Sequence, residues 1–147
     1  DIEVLYEDND IIVIHDGIRP LVDESVLSDV IIKAREFGNA VTSLPYNEQI
    51  FKTFDGKTTT EFIPRETLRR VSTPQAYRFA LLLASYKRAY KEKIGIYGSS
   101  YTNTMMVELG ETLHFAAGSD KNIKLTTKDD LEMFKAYLKM DKDKWLK

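Results

Sequence analysis

The sequence predicts an α/β fold with a mainly parallel sheet and a projecting β-hairpin arm. The continuous apolar run at residues 11–15 fits a strand buried on both faces, as in a parallel sheet. Helical periodicity over residues 24–37 and a second β-prone run at residues 40–44 follow it, and this order predicts a right-handed crossover between parallel strands. Further along, β-prone runs flank Asp55-Gly56, a pair that favours a hairpin turn.

The predicted first helix has recognisable ends and one apolar face. Asp23 is a suitable N-cap, and Gly38 is a typical residue to end a helix. Apolar side chains recur at helical spacing and should pack on the sheet: Val26, Leu27, Val30, Ile31 and Ala34.

The hairpin at residues 49–63 should need a partner, because an isolated two-stranded hairpin is only marginally stable in water. It carries more apolar side chains than a free hairpin would expose: Ile50, Phe51, Phe54, Phe62 and Ile63. We therefore expect a dimerisation arm that packs on a second copy of the chain and gives a homodimer.

The rest of the chain continues the alternation of strands and helices. The pattern predicts strands at residues 68–72, 112–116 and 123–125, a loop at 95–100, and helices at 76–91 and 102–109. Thr127 and Asp130 form a capping-box-like pair that predicts the start of a final helix, and the basic tail after Met140 is expected to fray. With no repeat and no linker, residues 1–147 are interpreted as a single domain.

The composition excludes several classes of function. Hydrophobic residues make up 43% and charged residues 30%, which is typical of a globular protein. A net charge of -2 argues against broad nucleic-acid binding, and the absence of cysteine excludes disulfides and cysteine-based zinc sites. No apolar run approaches the roughly 18 residues of a membrane span and no signal peptide is visible, so we expect no membrane partner and a cytoplasmic location. Because the chain opens with Asp1-Ile2-Glu3 and not with Met, we expect it to be an excised fragment.

The first candidate site is the hexapeptide at residues 15–20, which directly follows the first buried strand. In open α/β sheets, ligands bind beyond the carboxyl ends of the strands. Asp16 could hold Mg²⁺ or orient a hydroxyl there, and Arg19 could bind a phosphate with its guanidinium fork. The alternative is a strand-end turn with a local Asp16–Arg19 pair, and His15 is expected to be structural.

Two further segments could carry chemistry. Residues 65–75 place arginines beside a strand and the Thr73 hydroxyl before Pro74, which would suit a phosphate ester; a solvated arginine-rich strand edge is the alternative. In residues 118–126, Lys124 lies between apolar neighbours and either reaches solvent or meets an anion. The sequence contains no Walker loop, no Gly-x-Gly-x-x-Gly, no His-Glu-x-x-His and no nucleophile elbow.

Taken in order, three motifs resemble one family. His-Asp-x-x-Arg-Pro at residues 15–20, Arg-x-x-Leu with Thr-Pro-Gln at 65–75, and Asn-Ile-Lys-x-Thr at 122–126 are similar to those of 2-C-methyl-D-erythritol 4-phosphate cytidylyltransferase and its relative ribitol-5-phosphate cytidylyltransferase. The hairpin falls where that family has its dimerisation arm. The resemblance implies a Rossmann-like nucleotidyltransferase fold and transfer of CMP from CTP to a phosphorylated polyol, with release of pyrophosphate.

The resemblance also implies a role for individual residues. Asp16 would help to hold Mg²⁺ and would contact the polyol hydroxyls, and Arg19 would bind near the acceptor. Thr73 would hydrogen-bond the acceptor phosphate, which Arg65 would reach in the neighbouring subunit. Lys124 would approach the reacting phosphates. Such a transfer needs alignment and charge neutralisation more than a nucleophilic side chain.

The chain departs from the family pattern in three places. Asn47-Glu48 replaces a usual Asp-Thr before the arm, so Glu48 would add negative charge where the phosphorylated acceptor binds. Thr102-Asn103-Thr104 replaces a Thr-Asp-Glu-like stretch. The family's opening strand, Gly- and Arg-rich loop and helix, which cradle the triphosphate, are missing, so these 147 residues alone are expected to be inactive.

Two alternatives remain open from the sequence. A sugar-phosphate nucleotidyltransferase that uses another NTP would share these motifs, because the base-selecting residues should lie in the missing segment. The second alternative is a non-catalytic dimerisation or binding module derived from the fold. Such a module would have no physical need for four residues together: Asp16, Arg19, Thr73 and Lys124.

Overall fold

The structure is a computed structural model that describes residues 5–98 and 101–145. In chain order these residues form β1 (Ile11–Ile14), α1 (Glu24–Phe37), β2 (Asn39–Pro45), β3 (Ile50–Lys52), β4 (Glu61–Ile63), β5 (Arg69–Arg78), α2 (Phe79–Glu92), α3 (Thr102–Glu108), β6 (Phe115–Ala117) and α4 (Lys128–Trp145). A short 3-10 turn, Arg65–Thr67, joins the arm to β5.

The main sheet is mixed and has the strand order β1-β5-β2-β6. β1, β2 and β6 share one direction, because β5 pairs antiparallel with both β1 and β2 while β2 pairs parallel with β6. The expected majority of parallel strand directions is confirmed. However, β5 lies between β1 and β2, so the connection through α1 skips one position. Within the described residues, β1 has no partner strand on its other side.

The first predicted helix is confirmed over its full length as α1. Val30 and Ala34 lie on its buried face and pack against three small residues of the sheet: Ala40, Ala76 and Ala116. Gly38 follows the helix with φ of 90°, a left-handed conformation that a Cβ disfavours. Asp23 occupies the N-cap position, but its side chain makes no capping hydrogen bond.

The helix predicted at residues 76–91 begins later than expected. β5 is ten residues long and continues through Thr73-Pro74, and α2 begins only after it. A central strand accepts this proline because the register between β2 and β5 shifts beside Val41 and Thr42. Thr73 and Pro74 therefore form a bulge, where the missing proline N–H removes no ladder bond.

The prediction of a strand at residues 123–125 is wrong, because residues 118–126 form an irregular segment. Its single backbone bond to the loop after β1 joins the Leu125 N–H to the Ile18 carbonyl oxygen at 2.9 Å. The N–H groups of Asn122 and Ile123 instead donate to carbonyls of their own segment. One bond does not make a ladder, so the apolar pattern around Lys124 reflects packing along the loop rather than a strand. The strand predicted at 112–116 forms later, as β6.

The predicted hairpin is confirmed as a two-stranded sheet of its own, formed by β3 and β4. Both strands are only three residues long, and the tip between them is ordered by Asp55. The Asp55 carboxylate accepts hydrogen bonds from the N–H groups of Lys57 and Thr58, each at 2.8 Å. These bonds hold the pKa of Asp55 well below its usual value.

The predicted capping pair, Thr127 and Asp130, is present at the start of the last helix. The N–H groups of Thr126 and Thr127 donate to Asp130 Oδ2, at 3.0 and 2.7 Å. These bonds lower the pKa of Asp130 to about 2, so the carboxylate is ionised at neutral pH. α4 runs to Trp145, so the tail predicted to fray is helical as far as it is described.

Residues 99 and 100 of the loop predicted at 95–100 lie outside the described residues. No helix among those that are described is long and apolar enough to cross a bilayer.

Candidate active site

The loop after β1 positions Asp16 and Arg19 at the edge of the sheet. The Arg19 N–H donates to the Asp16 carbonyl oxygen at 3.0 Å and closes a turn. The Arg19 Nε atom donates to Asp16 Oδ2, also at 3.0 Å. His15 Nε2 lies 2.9 Å from the Arg19 carbonyl oxygen, so this side chain supports the loop. The local Asp16–Arg19 pair therefore exists, and it is joined to two other segments of the chain.

Four residues form a closed ring of hydrogen bonds, which we call the site ring. Arg19 donates from Nε to Asp16, as above, and from Nη1 to the Asn122 carbonyl oxygen at 2.8 Å. The Asn122 Nδ2 atom donates to the Thr73 carbonyl oxygen at 2.7 Å. The Asp16 N–H donates to Thr73 Oγ1 at 3.0 Å and completes the ring. The ring joins the loop after β1, the bulge of β5 and the segment at residues 118–126.

Lys124 brings a second cation to the site ring. Its Nζ atom lies 3.8 Å from Asp16 Oδ2, and its side chain is 39% exposed. At that distance the ammonium group is attracted to the carboxylate without a hydrogen bond, so its donors stay available to an anion. With Arg19 and Lys124 around one carboxylate, the cluster carries a net positive charge, which favours a phosphate group.

Two adjoining clefts meet at Arg19 and Lys124. The first, the Asp16 cleft, has a volume of about 260 Å³. Its walls also include Ser72, Thr73, Gln75, Tyr101 and Asn103. The second, the Asp120 cleft, has a volume of about 270 Å³. The Asp16 cleft is lined by four residues that the sequence analysis singled out, and it is the candidate active site: Asp16, Arg19, Thr73 and Lys124.

The Asp120 cleft has a different set of charged groups. Its additional cation, Arg70, is already paired with Asp120 through a short charged hydrogen bond. Asp130 also lines this cleft and is ionised at neutral pH, since its pKa is about 2. Three cations and two carboxylates line this cleft, against two cations and one carboxylate in the Asp16 cleft, so the net charge of the two is the same. The Asp16 cleft is favoured for a phosphate because the Thr73 hydroxyl lines it beside Arg19 and Lys124, and Thr73 does not line the Asp120 cleft.

Arg65 and Glu48 do not line the Asp16 cleft of their own chain. Arg65 Nη1 donates to the Asn47 carbonyl oxygen at 3.3 Å, and Arg65 lines a groove at the base of the arm. Glu48 is exposed between β2 and the arm. A contact of either residue with the acceptor would have to be made across a subunit interface, so both roles stay predictions.

Three residues that the sequence did not single out also belong to the site: Asn122, Gln75 and Tyr101. Asn122 is only 4% exposed and supplies two bonds of the site ring. The sequence feature that could have identified Asn122 is the Asn-Ile-Lys-x-Thr motif, because Asn122 is its first residue, although only Lys124 was singled out there. Tyr101 lines the cleft from the N-terminal end of α3, and a lone exposed tyrosine there gives no signal in the sequence.

A model of the family described as IspD, 2-C-methyl-D-erythritol 4-phosphate cytidylyltransferase, matches residues 1–140. The chain belongs to this family. The match includes the arm and every residue of the site ring, so the motifs that carried the resemblance lie inside it.

Among curated IspD-family relatives, ribitol-5-phosphate cytidylyltransferase from Lacticaseibacillus paracasei is 68% identical over 132 residues. The 2-C-methyl-D-erythritol 4-phosphate cytidylyltransferase of Bacillus pumilus is 34% identical over 132 residues. Both alignments cover 90% of this chain but 56% of the relative. The chain thus spans little more than half the length of these relatives.

Solved IspD structures share the fold. The 2-C-methyl-D-erythritol 4-phosphate cytidylyltransferase from Thermus thermophilus aligns with a TM-score of 0.75 and 26% identity, over 88% of this chain and 62% of that one. The Francisella tularensis structure of the same name aligns with a TM-score of 0.73 at 21% identity, over 88% of this chain and 59% of that one, and it supports the fold alone.

Proposed function

We propose that the protein containing these residues transfers CMP from CTP to a polyol phosphate and releases pyrophosphate. The observation that carries the proposal is the Asp16 cleft, where Arg19, Lys124 and the Thr73 hydroxyl converge around one carboxylate at the carboxyl end of β1. Ribitol 5-phosphate is the acceptor that we favour, because the identity to the relative named for it is 68%, against 34% to one named for 2-C-methyl-D-erythritol 4-phosphate.

In this reaction an oxygen of the acceptor phosphate attacks the α-phosphorus of CTP, and the bond to pyrophosphate breaks. Both reactants are negatively charged, so they must be held in line against their repulsion. Arg19 and Lys124 reduce that repulsion. Thr73 Oγ1 accepts the Asp16 N–H at 3.0 Å and so keeps its own proton to donate to a phosphate oxygen. No side chain has to act as a nucleophile.

The residues of the cleft fit a magnesium ion that is held mainly by its substrates. The residues that the structure describes contain no cluster of three or more acidic or histidine side chains. Mg²⁺ commonly binds through one or two carboxylates together with substrate phosphates and water, and Asp16 supplies such a carboxylate. Its Oδ2 atom is occupied by Arg19, which leaves Oδ1 for a metal or a polyol hydroxyl. When bound, the ion would neutralise charge that develops on the phosphates.

The choice of CTP over other nucleotides separates this proposal from a sugar-phosphate nucleotidyltransferase. In the full-length protein with Mg²⁺ and ribitol 5-phosphate, we expect kcat/KM for CTP to exceed that for UTP, ATP or GTP by roughly 100-fold or more, since a site built to hydrogen-bond one base rejects others strongly. Mass spectrometry of the nucleotide-linked product measures this. Equal use of UTP and CTP would contradict the assignment to a cytidylyltransferase.

The arm supports the proposal of a homodimer. Its aromatic side chains are exposed in the single chain, with Phe51 at 54%, Phe62 at 68% and Phe54 at 95%. A groove of about 390 Å³ lies along the arm and is bordered by Phe51, Phe62 and Arg65. Burying these rings against a second copy would offset the weakness of a hairpin with three-residue strands. It would also bring Arg65 towards the partner's cleft.

A further inference from the structure

Asn122 links two other members of the site ring, Arg19 and Thr73. Its backbone carbonyl accepts from Arg19, and its side-chain Nδ2 atom donates to the Thr73 carbonyl oxygen at 2.7 Å. Arg19 lies on the loop after β1 and Thr73 lies in β5. Asn122 therefore connects, through a third segment, the two residues that face the acceptor phosphate in the proposed reaction.

Thr73 needs such a support because the sheet does not hold it. It lies in the bulge where the register between β2 and β5 shifts, so it has no ladder partner on β2. Its neighbour Pro74 is held on that side, since the Thr42 hydroxyl donates to the Pro74 carbonyl oxygen at 2.6 Å. The bond from Asn122 holds the Thr73 carbonyl in the same way. Together these two side-chain bonds replace the missing ladder.

The segment that carries Asn122 is itself anchored on β2. A Cβ built on Gly118 would lie 2.9 Å from the Ser43 carbonyl oxygen, so only glycine allows this close approach. The Asn122 N–H then donates to the Ser119 carbonyl oxygen at 3.1 Å and closes a turn. The position of Asn122 is thus fixed by β2, independently of the two residues that it connects.

The Asn122 side chain is also incompletely satisfied. Its Oδ1 atom is buried and has no hydrogen-bond partner within the described residues. An orphaned buried acceptor is destabilising, and native structures contain few of them. The only side-chain hydrogen bond of Asn122 within the described residues is therefore the one that its Nδ2 atom donates to the Thr73 carbonyl oxygen, so the side chain acts on the site through Thr73.

We propose that Asn122 is a positioning residue for the acceptor: it fixes the distance between Arg19 and Thr73 so that both contact the same acceptor phosphate. This inference rests on the proposed function. Neither residue is assigned to the nucleotide base, so the loss of Asn122 should weaken binding of the acceptor selectively and leave binding of CTP largely intact.

A matched control exists in Asn39. Its side chain is 3% exposed, and its Nδ2 atom donates to the Thr112 carbonyl oxygen at 2.9 Å. Asn39 therefore has the same burial and the same type of side-chain bond to a backbone carbonyl, but it lines neither the Asp16 cleft nor the Asp120 cleft.

The test compares Asn122→Ala with Asn39→Ala in the full-length protein, with CTP and Mg²⁺ present. We expect Asn122→Ala to raise KM for ribitol 5-phosphate about tenfold, the factor that corresponds to one hydrogen bond of typical net strength. KM for CTP should stay within about twofold of wild type, since no bond to the nucleotide is lost. Asn39→Ala should lower the melting temperature at least as much, because Asn39 Oδ1 also accepts a hydrogen bond from the His114 N–H, and it should leave both KM values near wild type. If Asn122→Ala folds poorly, Asn122→Ser replaces it in the test, because the serine hydroxyl is too short to reach Thr73 and the same bond is lost.

The outcomes separate the inference from the function on which it rests. An unchanged acceptor KM in a folded Asn122 variant, with an active wild type, would overturn the inference alone. Equal rises in both KM values, or the same pattern in Asn39→Ala, would show a merely structural role and would also overturn it. A wild-type protein without CMP transfer would overturn the proposed function and the inference together.

Discussion

Asp16→Asn should lower kcat/KM of the full-length protein by about 100-fold or more, because several kcal/mol of charge stabilisation depend on this carboxylate. Asparagine keeps the shape of the side chain, and the backbone N–H bond to Thr73 is unaffected. What is lost is the negative charge that faces Arg19 and Lys124 and that would hold Mg²⁺. Steady-state kinetics over a range of Mg²⁺ concentrations, with melting curves for stability, measure the effect.

Asp120→Asn is the matched control for this variant. Asp120 lies in the adjoining cleft and forms an exposed ion pair with Arg70, a kind of pair that contributes little to stability. We expect Asp120→Asn to retain activity within about threefold of wild type, since it touches neither substrate in the proposed reaction. Normal turnover of Asp16→Asn at low Mg²⁺ would rule out a metal-binding role for Asp16.

Arg65→Ala and Asp16→Asn should each inactivate the protein, and mixing the two variants should restore activity. In the proposed dimer, the arm of one subunit brings Arg65 to the Asp16 cleft of the other. A mixed dimer then has one site with both residues intact and one site with neither. If subunits exchange freely, half of the dimers are mixed, and activity should return to about a quarter of wild type. Pyrophosphate release measures the recovery, and light scattering checks that dimers form.

The control mixture pairs Arg65→Ala with the double variant Arg65→Ala/Asp16→Asn. No dimer in that mixture contains Arg65, so it should stay inactive if the assignment is correct. Lack of recovery in the first mixture, with subunit exchange verified, would contradict an action of Arg65 across the interface. A purely monomeric protein at tens of micromolar, on the order of usual working concentrations, would also contradict the dimer.

Helical periodicity and turn residues predicted the elements that form through interactions between residues close in sequence. α1 has an apolar stripe and Gly38 at its end, and the hairpin has its Asp55-Gly56 turn, so both were predictable. The length of β5 was not, because Pro74 normally argues against a central strand. Pro74 fits in β5 only because the strand has a bulge opposite Val41 and Thr42. Such a bulge depends on the pairing with β2, which the local sequence of β5 does not record.

The candidate site was predictable as a set of residues but not as an arrangement. Asp16, Arg19, Thr73 and Lys124 were chosen by chemistry and resemblance, and the structure places them around one cleft. Asn122 escaped because its role depends on contacts with residues that are 103 and 49 positions away in the sequence. No periodicity or local propensity records such contacts.

The central claim is CMP transfer to a polyol phosphate, and an acceptor panel tests it most directly. The full-length protein is incubated with CTP, Mg²⁺ and, in separate reactions, ribitol 5-phosphate, 2-C-methyl-D-erythritol 4-phosphate and a sugar 1-phosphate, and pyrophosphate release is measured. The structure and the relatives predict rapid release with ribitol 5-phosphate, slower release with 2-C-methyl-D-erythritol 4-phosphate, and none with the sugar 1-phosphate. Release with the sugar phosphate alone, or with no acceptor in the panel, would contradict the claim.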